Sequence, residues 1–166
     1  MAITFDDFSS LTLYLVVKYF LLGNPFVYWA STASLGVLGL LVLFYLVRWQ
    51  RGYTDLKPRD IDHIHYSALY PALGWFLHYL PFIVMGRVTY VHHYYPALYF
   101  AILVAGFCFD WFTRPLRKEA QWGVYTLLYA VIIGLFWLFR AICFGMEGSH
   151  TQWKHLKWFS SWRMTD

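Results

Sequence analysis

Four long apolar stretches dominate this sequence, and one of them, residues 26–47, contains no charged side chain at all. A helix needs about twenty predominantly apolar residues to cross the hydrocarbon core of a bilayer. Three further stretches of comparable length lie at about residues 67–85, 95–112 and 122–144. We therefore predict an all-α membrane protein whose four transmembrane helices form one module over residues 26–145.

The composition excludes an ordinary soluble domain. Charged residues make up only 13% of the chain, against 60% hydrophobic and 23% aromatic residues, whereas soluble domains carry about 25% charged residues. The net charge of +4 does not indicate nucleic-acid binding, because the basic residues cluster in the connections between apolar stretches. Cys108 and Cys143 both lie inside apolar stretches, so we expect small core side chains rather than a disulfide or a metal site.

The distribution of Lys and Arg predicts how the four spans are oriented. The connections at residues 48–66 and 113–121 hold four and three basic residues, whereas the connection at residues 86–94 holds only Arg87. Basic residues are enriched in cytosolic loops. The first two connections are therefore predicted in the cytosol, and the third on the lumenal or exterior side.

The two ends of the chain differ from the four-span module. Residues 1–25 are apolar in part but too short to cross a bilayer, and Asp6 and Asp7 exclude the basic start of a secretory signal. This segment is expected to lie in the interface or to pack on the spans. Residues 146–166 alternate tryptophan with basic side chains, which is typical of a membrane surface, so we predict a lumenal amphipathic tail.

Several residues within the module carry specific expectations. Pro71 and Pro81 should bend the second span, because each removes a backbone donor. His78 lies in the middle of that span and either bonds a neighbouring helix or serves a function. Asp110 and Arg114 are spaced as a helix-end ion pair. A solvated loop rather than a metal site is expected for the carboxylates and imidazoles near Lys57 and Arg59, which are Asp55, Asp60, Asp62, His63 and His65.

Polar side chains gather in the connection between the second and third spans. Arg87 can bind a phosphate through charge-assisted, bidentate hydrogen bonds, or it can anchor the helix end at the head groups. His92, His93 and Tyr94 can hydrogen-bond a phosphate or a sugar, or can be interfacial structural residues. No metal site is predicted, because adjacent histidines point about 100° apart on a helix. The connection contains no acidic residue, so no catalytic base is predicted there.

The same connection carries a long string of uncommon residues. Residues 86–97 read GRVTYVHHYYPA. The string closely resembles the Gly-Arg-x-x-Tyr-x-His-His-Tyr-x-Pro-Ala string in the C-terminal membrane region of the protein O-mannosyltransferases. The likeness runs from about Tyr19 to the terminal WFSSWRMTD, and residues 1–17 have no match. The resemblance implies the C-terminal part of a GT-C glycosyltransferase fold.

This resemblance also implies a function. Such enzymes transfer mannose from dolichyl-phosphate mannose to Ser or Thr hydroxyls of proteins, in the endoplasmic reticulum membrane and without a cofactor. It further implies a homodimer or heterodimer with another mannosyltransferase. The family's catalytic Asp-Glu pair lies in an early lumenal loop that has no counterpart in this sequence. The segment is therefore expected to bind the donor phosphate or sugar through Arg87, His92, His93 and Tyr94, and to carry no catalytic residue.

Two other classes of function remain open from the residues alone. The absence of catalytic carboxylates also fits a non-catalytic membrane subunit that stabilises or regulates a full-length transferase. A haem- or ion-handling four-helix membrane protein would use His78, His92 and His93. Absorption by bound haem would distinguish the latter from both transferase hypotheses.

Overall fold

Four long helices form the chain in the computed structural model, which describes residues 23–85, 91–145 and 155–159. They are α1 (Pro25–Gln50), α2 (Pro58–Met85), α3 (Val91–Thr113) and α4 (Lys118–Phe144). Each contains a segment long and apolar enough to cross a membrane. The prediction of an all-α chain with four candidate spans is confirmed.

Helix α1 begins at a strong helix-start signal. The side-chain oxygen of Asn24 accepts hydrogen bonds from the backbone N–H groups of Phe26 and Val27, at 3.1 and 3.4 Å. Pro25 occupies the first turn, where its missing N–H costs nothing. The Asn24 amide also donates to the carbonyl of Ile132 at 3.0 Å, which ties the start of α1 to α4.

Helix α2 begins at Pro58, well before the predicted span. Asp60, Asp62, His63 and His65 therefore lie on a helix, and the expectation of a loop is wrong for residues 58–66. Only the preceding part, which includes Asp55, remains a connection. The Asp60 carboxylate accepts from the Lys57 N–H at 3.3 Å and caps this helix start.

A π-helical turn at His65–Leu69 interrupts the α-helical geometry of α2. It comes directly before Pro71, whose ring would clash with a carbonyl in the preceding turn and which cannot donate to it. Widening the helix there accommodates the proline. The helix continues through Pro81 to Met85, and the bends predicted at Pro71 and Pro81 stay predictions.

Helices α1, α2 and α3 share one buried apolar core, within the compact unit formed by residues 24–133. Small residues allow close approach, since Ala97 and Ala101 of α3 are fully buried. Gly74 of α2 lies so close to Phe100 that an added Cβ would be 2.7 Å from the ring. The core side chains are Leu38, Leu41, Ile64, Ala68, Val104, Phe107 and Cys108.

The two cysteines have different environments. Cys108 lies in the shared core, and its thiol donates to the Ser34 carbonyl at 3.6 Å. Cys143 on α4 is exposed. The prediction of a core position is therefore confirmed for Cys108 and wrong for Cys143. An apolar stretch identifies a membrane helix, but it does not specify which of its faces packs against protein.

A second compact unit includes the last part of α4 and the described part of the tail. Trp158 packs its ring edge-on against Phe139 at 4.8 Å. Leu156 and Ile142 are buried as well. Part of the predicted amphipathic tail therefore packs against protein. The rest of the tail and residues 1–22 of the predicted N-terminal segment lie outside the described residues.

Candidate functional site

The predicted donor-binding residues gather where α2 ends and α3 begins. Helix α2 ends at Met85, and His92, His93 and Tyr94 occupy the first turn of α3. Arg87 falls in the gap at residues 86–90, outside the described residues. The structure therefore positions three of the four predicted residues.

Tyr94 joins three helices rather than standing free. Its hydroxyl accepts a hydrogen bond from the indole N–H of Trp75 at 3.2 Å. Its ring packs edge-on against Tyr79 of α2 at 5.7 Å and lies 6.1 Å from the ring of Tyr28 of α1. Tyr94 thus fixes the start of α3 against α1 and α2. We call these four residues, Tyr28, Trp75, Tyr79 and Tyr94, the aromatic cluster.

The two adjacent histidines lie beside that cluster and are exposed. The ring centroids of His92 and His93 are 4.1 Å apart. Divergent side chains were expected from adjacent positions on a helix, but the rings turn towards each other. The His93 ring also lies 5.8 Å from Phe82 of α2. This arrangement presents two imidazoles at one place at the end of the α2–α3 pair, where they can hydrogen-bond an anion or a hydroxyl.

His78 lies deeper along α2 and bonds its own helix. Its Nδ1–H donates to the Gly74 carbonyl at 2.8 Å, and its ring lies 5.0 Å from Phe100. The expected bond to a neighbouring helix is therefore absent from the described contacts of His78. This bond leaves Nε2 unused, and the His78 side chain is exposed.

The stretch that includes this site contains very few charged residues for its length. Between residues 63 and 109 the sequence contains no Asp or Glu, and Arg87 is the only Lys or Arg. These parts of α2 and α3 therefore hold no carboxylate that could take a proton from a hydroxyl acceptor. The arrangement can bind an anionic or polyhydroxyl ligand, but it supplies no acidic general base.

Charged residues concentrate instead at the other end of α2 and α3. Arg114 bonds Asp110 at 3.0 Å, which confirms the predicted helix-end pair, and it also lies 3.7 Å from Asp60 of α2. His63 shares a hydrogen bond with the Ser67 hydroxyl through Nδ1, at 3.2 Å, and its Nε2 lies 3.6 Å from Asp110. The His63 ring stacks 6.5 Å from Trp111. No group of three metal-ligating side chains forms within the described ranges.

The connection after α1 adds one more ion pair at this end. The Arg48 guanidinium donates two hydrogen bonds to the Asp55 carboxylate and lies 4.5 Å from the Tyr53 ring centroid. Hydrogen bonding to Arg48 lowers the pKa of the Asp55 carboxyl. Spacing within the sequence predicted only the Asp110–Arg114 pair. The cross-helix contacts depend on α2 beginning at Pro58, which the apolar pattern did not indicate.

The aromatic partners of Tyr94 were also not predicted. Trp75 and Tyr79 are four residues apart on α2 and stack at 5.2 Å. That spacing was the available signal, since residues at i and i+4 share one face of a helix. The candidate binding residues thus rest on an aromatic framework that the sequence pattern did not identify.

Comparison with known proteins gives a consistent family. The model of the C-terminal four-transmembrane region of protein O-mannosyltransferase matches residues 14–162. Dolichyl-phosphate-mannose–protein mannosyltransferase 2 of Candida albicans is 46% identical over 160 residues, covering 90% of this chain and 21% of the relative. Protein O-mannosyl-transferase 2 of Danio rerio is 31% identical over 163 residues, covering 87% of this chain and 21% of the relative.

Dolichyl-phosphate-mannose–protein mannosyltransferase 6 of Saccharomyces cerevisiae is 42% identical over 147 residues, covering 89% of this chain and 19% of the relative. The chain thus spans about a fifth of the length of these relatives. No solved structure gives a significant match. Because the family model covers most of the sequence, the chain belongs to the protein O-mannosyltransferase family, in its C-terminal four-transmembrane region.

Proposed function

We propose that this chain acts as the C-terminal membrane module of a dolichyl-phosphate-mannose–protein mannosyltransferase. In such an enzyme, mannose passes from dolichyl-phosphate mannose to Ser or Thr hydroxyls of proteins in the endoplasmic reticulum. The observation that carries the proposal is the family match over residues 14–162, together with relatives named for this reaction.

The module's part in the reaction is to hold the donor. The lipid of the donor stays in the bilayer while its sugar must reach the aqueous side, so its phosphate lies near the membrane boundary. The start of α3 is the end of a candidate span, and it exposes His92 and His93. In this proposal Arg87 binds the phosphate, the two imidazoles bond phosphate or sugar oxygens, and Tyr94 contributes by holding the start of α3 in place.

The catalytic base has to come from outside this segment. No acidic side chain occurs between residues 63 and 109, and proton abstraction from a hydroxyl acceptor uses a positioned base. We therefore expect the purified chain alone to show no mannosyl transfer. Transfer from a dolichyl-phosphate donor by the isolated chain would overturn this division of labour and would direct attention to Glu147.

We also propose how the spans are oriented in the membrane and that the enzyme forms a dimer. The connections at residues 48–66 and 113–121 face the cytosol, because they hold most of the basic residues between spans. The 86–94 connection and the tail then face the lumen. The full-length enzyme pairs with another mannosyltransferase. Glycosylation-acceptor tags inserted in each connection report sidedness, and a modified tag near Lys57 would refute the orientation.

Arg87 offers the sharpest test of donor binding. A chimaera of the Candida albicans relative, with this segment in place of its matching region, is assayed with Arg87→Ala and Arg87→Lys. A charge-assisted hydrogen bond contributes about 1.5–3 kcal/mol, so the alanine variant should lose about ten- to a hundredfold in donor efficiency. Lysine should recover only part, since it keeps the charge but loses the bidentate fork.

Membrane abundance is measured in parallel to separate binding from folding. If Arg87 only anchors the helix end at head groups, lysine should restore everything and alanine should lower abundance instead. Normal donor dependence of Arg87→Ala at normal abundance would eliminate the phosphate role. The chimaera without substitutions serves as the reference for both measurements.

A second candidate function is favoured by the missing carboxylates. The same module in a non-catalytic subunit would stabilise or regulate a full-length transferase without performing transfer itself. Co-purification of the chain with a larger transferase, combined with silence in a transfer assay, would support that function. Restored activity of the chimaera would favour the enzyme module.

A further inference from the structure

A concave site lies where α2 begins and α3 ends. His92 and His93 are at the opposite end of this helix pair. The site is a surface cavity of about 520 Å³ where the start of α2 meets the end of α3. We call it the basic cavity. Its lining residues are Lys57, Arg59, Asp60, His63, Asp110 and Arg114.

Some charged side chains in the basic cavity form ion pairs, and others do not. Arg114 is shared between Asp110 and Asp60, at 3.0 and 3.7 Å. Lys57 and Arg59 are exposed, and neither forms an ion pair within the part of the chain that the structure describes. Two basic side chains therefore line a concave surface whose carboxylates are already engaged. Such an arrangement favours an anion over a metal cation.

The position of the cavity indicates what kind of anion can reach it. Lys57 directly precedes Pro58, where α2 begins, and Arg114 directly follows Thr113, where α3 ends, so the cavity lies at the ends of two candidate spans. The Arg114 guanidinium lies 5.1 Å from the Trp111 ring centroid, and tryptophan favours the level of the lipid head groups. Lys57 and Arg59 line the same cavity as Arg114, so we expect an anion bound there to lie at the head-group level.

We propose that the basic cavity binds the phosphate of an anionic phospholipid head group. Lys57 and Arg59 bind the phosphate, and Arg114, which Asp110 and Asp60 hold, lines the cavity beside them. This site is distinct from the donor site, because it lies at the opposite ends of α2 and α3. It does not depend on the mannosyltransferase activity. With the orientation proposed above it faces the leaflet in which anionic lipids are enriched.

Native mass spectrometry of the purified chain in detergent tests the site. The chain is titrated with phosphatidylinositol and, separately, with phosphatidylcholine of the same acyl chains, and inorganic phosphate is added as a competitor. The test variant is Lys57→Ala/Arg59→Ala. The matched control is Arg51→Ala/Arg117→Ala, which removes the same charge from exposed positions in the two predicted cytosolic connections, outside the cavity lining.

We expect the unsubstituted chain to prefer phosphatidylinositol. The test variant should bind it about thirtyfold more weakly, the effect of removing two basic residues beside an anionic head group. The control should bind it nearly as well as the unsubstituted chain, and circular dichroism should show equal helix content in all three proteins. Binding should also weaken as salt is raised.

Three results would overturn the proposal. Equal weakening in the test and control variants would show general surface attraction rather than a site. Binding of inorganic phosphate as tightly as the lipid would make this a site for soluble phosphate. Equal affinity of the unsubstituted chain for the two lipids would remove the role of the anionic head group.

Discussion

The two ends of the α2–α3 pair are held together by different forces. At the end that carries the candidate donor site, aromatic rings pack around Tyr94, with one side-chain hydrogen bond from Trp75. At the opposite end, Asp60, Asp110 and Arg114 connect the helices through ion pairs, beside the His63 ring. The end with the aromatic cluster thus has no carboxylate from α2 or α3, whereas the opposite end has two that form ion pairs with Arg114.

This difference has a functional meaning. An anionic donor phosphate would be repelled by carboxylates, and none occurs between residues 63 and 109. The aromatic cluster positions the helix ends without adding charge, and that stretch supplies no carboxylate to compete with a phosphate for Arg87. At the charged end, the carboxylates of Asp60 and Asp110 form ion pairs with Arg114. Lys57 and Arg59 have no ion pair among the described residues.

The largest structural effect is expected at Tyr94. Tyr94→Ala removes the ring that α1 and α2 share, and we expect a loss of about 2–3 kcal/mol in the free energy of unfolding. Tyr94→Phe removes only the hydrogen bond from Trp75 and should cost about 1 kcal/mol. Unfolding in mixed detergent micelles measures both. Tyr95→Ala is the control, since that exposed neighbour should change stability by less than about 0.5 kcal/mol.

Close packing of the two helices is tested at Gly74. Gly74→Ala places a Cβ 2.7 Å from the Phe100 ring, and overpacking costs about 1–3 kcal/mol. Alanine's better helix propensity returns at most about 1 kcal/mol, so we expect a net loss of about 1–2 kcal/mol. Gly36→Ala has open space around it and should be neutral or slightly stabilising. Equal stability of the two variants would refute the close approach.

The charged end should respond to salt while the aromatic end does not. Asp110→Asn weakens the contacts to Arg114 and His63, and we expect a loss of about 1 kcal/mol or less at low ionic strength, because these groups are partly exposed. The loss should shrink as salt is added. The loss caused by Tyr94→Phe should stay constant. Similar salt dependence of both variants would remove the contrast between the two ends.

The smallest expected effect is on the way the free energy of unfolding depends on acidic pH. The Arg48 hydrogen bond lowers the pKa of Asp55, so the native chain holds this carboxylate ionised more strongly than the unfolded chain does. Its contribution to stability is present above the ordinary Asp pKa and is lost as the pH falls through the lowered native value. Asp55→Asn should abolish this part of the acid dependence. An unchanged pH profile of unfolding in Asp55→Asn would contradict the pair.

The sequence predicted the helices well because the bilayer imposes a simple rule on length and polarity. Four apolar stretches of about twenty residues indicated four spans, and the structure has four such helices. The start of α2 was missed because residues 58–66 are polar, and hydropathy does not register a helix that continues beyond its apolar part. The cap at Asp60 was the signal available there.

The candidate site was predicted only in part. The string at residues 86–97 identified His92, His93 and Tyr94, and the structure brings these to one helix end. The role of Tyr94 as a joint between three helices could not be predicted, because it depends on partners from α1 and α2. His78 illustrates the same limit, since its actual partner is a carbonyl of its own helix.

Donor dependence is the most direct test of the account. The chimaeric transferase carrying His92→Ala/His93→Ala is compared with one carrying Arg51→Ala/Arg117→Ala, and the apparent KM for dolichyl-phosphate mannose is measured at matched membrane abundance. Loss of two hydrogen bonds to the donor should raise KM about tenfold in the first variant and leave the second unchanged. Equal KM values in the two variants would contradict a donor site at the start of α3.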